Sequence, residues 1–167
     1  MRGVVIMSRI PVTIKGGEKL KIALMRLGGK TPILRVGILE GATYTGEPDT
    51  REKPGQSVAT VAFWQEYGTR RGTPPRPFMR NTVAEYKHSW TATLGTLIMT
   101  RSSFAEAFDA LGFAMIPDFR NTIIKGVPPP SAPSTIAFKK RIGKEYANTP
   151  LILTRTMLAS IAYEVVE

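Results

Sequence analysis

The period of the hydrophobic pattern changes several times along this chain, and each change marks an expected element. Leu20, Ala23, Leu24 and Leu27 recur at helical spacing between Gly16-Gly17 and Gly28-Gly29, which predicts a short amphipathic helix. Ile33–Glu40 alternates, with Leu34, Val36 and Ile38 on one face, as a half-buried strand does. The polar stretch from Ala42 to Gln56, with Gly46, Pro48, Pro54 and Gly55, reads as a long exposed loop. Ser57–Val61 is expected to be a second strand, so that the loop joins a hairpin. About a turn and a half of helix follows over Ala62–Tyr67, with Gly68 ending it.

Gly68–Pro77 is rich in Gly, Pro and Arg and is expected to be irregular. From Phe78 the steps of four and three return, with Met79, Val83, Tyr86, Trp90, Leu94 and Leu97 forming one helical stripe. Ser102 or Ser103 should cap the next helix, whose stripe is Phe104, Phe108, Leu111 and Met115. Pro117 is expected to kink or break that helix, because it lacks an amide donor and crowds the preceding turn. The segment then resumes to about Ile124. Gly126–Pro133 cannot be helix, and a short helix with Thr135, Ile136 and Lys139 comes after it. The chain closes with one helical turn and a strand in which Ile161, Tyr163 and Val165 alternate with Ala162, Glu164 and Val166. These elements predict one α+β domain over residues 1–167. A small, mostly antiparallel sheet would carry helices on one side, with exposed loops at about 42–56 and 126–133.

Composition narrows the function classes. The 167 residues include 23 Lys and Arg against 13 Asp and Glu, a formal charge of +10. Residues 1–80 hold 14 basic and 6 acidic groups, and residues 81–167 hold 9 and 7. Two segments are basic without an acid among them: Gly68–Arg80, with Arg70, Arg71, Arg76 and Arg80, and Phe119–Lys144, with Arg120, Lys125, Lys139, Lys140, Arg141 and Lys144. Such clusters attract polyanions, since each neutralised phosphate releases condensed counterions. Nucleic acid near the protein is therefore expected, but base-specific reading is not, because no zinc-finger, helix-turn-helix or RNA-binding signature occurs.

Catalysis finds no support in the residues. With no cysteine there is no disulfide scaffold, thiol nucleophile, Fe–S cluster or Cys-type zinc site. The single histidine, His88, sits on an expected helix without an accompanying nucleophile and reads as a surface side chain. Gly28-Gly29-Lys30-Thr31 echoes the end of a phosphate-binding loop, yet Leu24 stands where the loop needs glycine, and the fragment closes a helix instead of opening one. Carboxylates never fall in a paired metal-binding pattern; Glu47, Asp49 and Glu52 read as solubilising loop charges. No catalytic residue, cofactor or metal site is expected. No apolar run approaches the roughly 18 residues that span a bilayer, and Val4–Met7 is too short for a signal-peptide core.

The most individual stretch is Phe63-Trp64-Gln65-Glu66-Tyr67-Gly68-Thr69, followed by Pro74-Pro75-Arg76-Pro77-Phe78. It resembles tailed-bacteriophage neck and tail-completion proteins, the head–tail joining, minor tail and virion morphogenesis group. Their hallmark is a short helix reading Asn-Glu-x-Gly-Thr and a loop ending Pro-Pro-Arg-Pro-Phe. Gln65 stands here for the usual Asn. A second set of residues extends the resemblance: Pro128-Pro129, Ser134-Thr135-Ile136 and Lys139, then Thr149-Pro150-Leu151-Ile152, Thr154, Met157, Ser160 and Ile161. Leu153 and Arg155 replace the customary Asp and Gly of that ending. The motifs cover roughly residues 57–167 in the family's order.

The resemblance implies a structural virion protein rather than an enzyme. The expected assembly is a homo-oligomeric ring, commonly a hexamer, at the head–tail junction around the DNA channel. Its neighbours would be a connector or head-completion protein and tail terminator or tail tube proteins. It would be made in the host cytoplasm, with genome DNA passing nearby and no membrane. Interface or channel candidates are Glu66, Gly68, Arg70, Arg71, Arg76, Pro77, Phe78, Arg80, Lys139, Lys140 and Arg141. On this reading Arg76→Ala weakens assembly and leaves the monomer folded, and the 42–56 and 126–133 loops are arms that reach neighbouring subunits. A free, non-sequence-specific DNA-binding protein is the alternative; a nuclease is a third class, disfavoured by the missing carboxylate pairs.

Overall fold

A computed structural model describes residues 32–166, apart from Asp49, Arg51 and Ser102, together with Met25. The expected helix around Leu20–Leu27 and the Gly28–Thr31 fragment lie outside the described residues. The elements in order are β1 (Ile33–Ile38), α1 (Val58–Tyr67), α2 (Phe78–Thr100), α3 (Phe104–Lys125), α4 (Pro133–Arg141), α5 (Thr156–Ala159) and β2 (Ile161–Val166). The fold is α+β, and the described residues form one two-stranded antiparallel sheet.

The sheet pairs the first described strand with the last, in a register that runs from Ile33 opposite Val166 to Ile38 opposite Ile161. Arg35 and Glu164 face each other across it, Nη1 to Oε1 at 2.9 Å. This corrects the expected hairpin partner, since Ser57–Val61 is not a strand. Ser57 caps α1 by accepting the Thr60 amide at 3.3 Å, and Val58, Ala62 and Glu66 are buried at steps of four, a helical face. Of the expected pairing only a bridge between Thr43 and Ser57 remains.

α3 packs on both strands with one face and on α2 with another. Gly112 permits the close approach to the sheet: a Cβ there would lie 2.4 Å from Tyr163 Cδ2 and 2.8 Å from Leu34 Cδ1. Between the helices, Trp90 stacks with Tyr86 and Phe119 at 5.9 and 5.6 Å, and its Nε1 donates to Asp118 Oδ2 at 2.7 Å. Burying an indole requires such a partner for its N–H.

Two further expectations are corrected. Pro117 neither breaks nor ends α3, which runs through it to Lys125. Pro117 and Phe113, whose carbonyl loses its usual donor, both lie on the exposed side. Water can therefore replace the missing bond. Nor is the 42–56 segment merely an exposed loop. Tyr44 is buried, its amide donates to Gln56 O at 2.9 Å, and the Gly55 amide donates to Tyr44 O at 2.8 Å. Lys144 Nζ pairs with Glu47 Oε2 at 2.5 Å and Thr154 Oγ1 donates to Glu52, which strap the segment to its own chain.

Candidate functional site

The site is the joint between α1 and α2 and the proline-rich loop packed on it. Gly68 leaves α1 at φ 76°, and a Cβ there would lie 2.8 Å from Thr73 O, so both conformation and space demand glycine. The chain then turns tightly, Thr69 N donating to Thr73 O at 3.0 Å and Gly72 N to Thr69 O at 3.2 Å. Arg70 and Arg71 are exposed at the tip of this turn. Pro77 precedes α2 and offers no side-chain cap, and the first turn of α2 has no acid.

Glu66 supplies what that helix start lacks. Its carboxylate, fully buried, accepts the backbone amides of Met79 at 2.9 Å and Arg80 at 3.2 Å. Arg80 Nε also donates to it at 2.9 Å, while Arg80 Nη2 donates to the Glu66 carbonyl at 3.0 Å. A negative charge thus meets the positive end of the α2 dipole, and orphan helix donors are satisfied. Phe78 is fully buried beside this start.

Arg76 joins the two motif-bearing segments. Its amide donates to Gln65 O at 2.6 Å. Its Nε donates to Pro129 O at 2.8 Å, Nη2 to Pro130 O at 3.1 Å and Nη1 to Gln65 Oε1 at 3.3 Å. A fixed guanidinium fork suits several carbonyls at once, where an ammonium would not. Lys139, also buried, donates from Nζ to Thr149 O at 2.8 Å and Ile152 O at 2.6 Å. Burial lowers the pKa of both cations, and the charge of Arg76 lowers that of Lys139 further. Beside them lies a cavity of about 560 Å³ lined by Tyr44, Glu52, Gln65, Arg76, Pro130 and Lys139, among others. Burial and, next, the Glu52 charge push the Tyr44 hydroxyl up to about 12.

The placements divide the expected interface residues. Glu66, Arg76, Phe78 and Lys139 are buried within the chain; the polar groups of Glu66 and Arg76 are taken up in the joint, and that of Lys139 by the Thr149 and Ile152 carbonyls. Gly68 and Pro77 shape the joint. Arg70, Arg71, Arg80, Lys140 and Arg141 are exposed. The 126–133 loop is likewise no free arm: Val127 is buried and the Pro129 and Pro130 carbonyls are taken by Arg76. Arg155 takes the left-handed conformation at φ 65°, with its guanidinium 4.8 Å from the Tyr146 ring. Sequence reasoning missed Gln65 as the partner of Arg76, Tyr44 as a buried residue, and the exposure of Phe63, Trp64 and Tyr67.

Among the described residues no group of three His, Cys, Asp or Glu is arranged to hold a metal ion. His88 is exposed on α2. Among those residues, too, no helix is long and apolar enough to cross a membrane. Compared with family models, curated proteins and solved structures, the chain finds no match.

Proposed function

We propose that this chain is a structural subunit of a tailed-phage virion, a neck or tail-completion protein. It assembles as a ring at the head–tail junction, around the channel through which the genome passes. The observation that carries the proposal is the meeting of the two motifs in one joint. Arg76 of the first reaches the carbonyl of Pro129 in the second across 53 positions of sequence. Two proline-rich fragments occurring by chance have no reason to interlock through their most characteristic residues. The exposed Lys140 and Arg141 support a surface that lies near DNA phosphates without reading bases.

The same exposed cations favour the second reading, a free DNA-binding protein. Purified chain added to tails assembled without it, then imaged in negative stain, separates the two. A ring added at the head-proximal end supports the neck reading. A chain that ignores tails, yet is retained by duplex DNA with a steep loss on adding salt, supports the alternative.

A further inference from the structure

The outward faces of α1 and α3 carry opposite chemistry. On α1, Phe63, Trp64 and Tyr67 keep 45%, 42% and 49% of their surface exposed. The Phe63 and Tyr67 rings lie 4.9 Å apart, and the Arg80 guanidinium lies 4.9 Å from the Tyr67 ring. Arg70 and Arg71 are exposed in the turn that follows. The carboxylate of this helix, Glu66, is buried and engaged, so the face is aromatic and cationic. On α3, Glu106, Phe113, Pro117 and Ile124 are exposed at helical spacing along one stripe, with Asp109 beside it. Phe113 is 72% exposed, and Asp109 is held at the surface by the Tyr163 hydroxyl at 2.8 Å. The stripe is apolar with an acidic N-terminal half. α1 packs on β1 and α5, whereas α3 packs on α2 and both strands, so the two faces belong to different parts of the chain.

We infer that these faces are the two halves of one heterologous contact between copies of this chain. The aromatic-basic face of α1 in one copy seats on the apolar-acidic stripe of α3 in the next. Ring meets aliphatic and aromatic surface, and Arg70 and Arg71 meet Glu106 and Asp109. This inference rests on the ring reading and adds which surfaces meet. Exposed aromatic clusters flanked by arginine are the composition of interface anchors. A contact between two different faces leaves each bound pair with one free face of each kind, so further copies add head to tail until the ring closes. A polyanion would cover the α1 face but would be repelled by Glu106 and Asp109 and would leave Phe113 bare. A second copy uses both faces.

The test uses the full chain, with mass measured by light scattering alone and on tails. Phe63→Ser with Trp64→Ser spoils one face; Phe113→Ser with Ile124→Ser spoils the other. Each variant stays monomeric where the wild type assembles, and an equimolar mixture gives a two-copy complex that grows no further. Charge reversal supplies the check that does not touch apolar packing. Arg70→Glu with Arg71→Glu, and Glu106→Arg with Asp109→Arg, each weaken assembly about tenfold or more, and one chain carrying all four regains it. Melting curves matching the wild type establish that the variants are folded. Variants that assemble like the wild type, or a mixture that stays monomeric, overturn the contact while the ring reading stands. A wild type that never exceeds one copy, alone or on tails, overturns both.

Discussion

The carboxylate of Glu66 accepts the backbone N–H of Met79 at 2.9 Å, so the last turn of α1 closes the first turn of α2. A residue thirteen positions upstream thereby does the work usually left to an N-cap side chain. Glu66→Ala removes a buried charged acceptor and leaves helix amides unpaired, at an expected loss of about 2–4 kcal/mol. Glu66→Gln keeps an acceptor and loses less. Urea midpoints measure both; equal midpoints for Ala and Gln would contradict the capping role.

Arg76 is expected to act on folding before assembly, which reverses the expectation drawn from its sequence position. Arg76→Ala strands the Pro129 and Pro130 carbonyls and the Gln65 amide oxygen. The cost should be about 2–4 kcal/mol. Arg76→Lys recovers less than half of it, because one ammonium cannot match the fork. An unchanged urea midpoint with reduced assembly would return Arg76 to the interface.

Two glycines in helices should respond with opposite signs. Gly112→Ala drives a methyl to within 2.4 Å of the Tyr163 ring, costing about 1–3 kcal/mol. Gly95→Ala meets nothing within 4 Å and should stabilise by about 0.5–1 kcal/mol through helix propensity. Thermal melts of the two variants check the pair. Equal effects would mean that α3 does not press on the sheet as described.

Tyr44 sets an alkaline limit. Its folded hydroxyl titrates at about 12 because of burial and, secondly, Glu52, against an ordinary value near 10. Between those values the unfolded chain has lost the proton and the folded chain keeps it, so stability falls as pH rises through the window. Below pH 10 the residue contributes no slope. Tyr44→Phe should flatten the decline between pH 10 and 12 relative to the wild type, read from urea midpoints at each pH. Parallel curves would contradict a buried, neutral phenol.

What the sequence made legible follows from range. The stripe through Met79, Trp90 and Leu94 and the alternation of Leu34, Val36 and Ile38 are local periodicities, and both elements stand where they predict. The partner of β1 is not local. It lies at the far end of the chain, and the β-branched Val58, Thr60 and Val61 offered a nearer strand. That choice concealed the spacing Val58, Ala62, Glu66, which would have placed Glu66 on the buried face of a helix. Charge gave no guide to exposure at the joint either, because Arg76 and Lys139 meet carbonyls, which carry no signature in composition.

Particle mass in solution tests the central claim most directly. Native mass spectrometry of the chain, alone and after release from tails, should give a closed multiple of 18.4 kDa, with six copies at about 110 kDa. A single 18.4 kDa species under both conditions would contradict the ring.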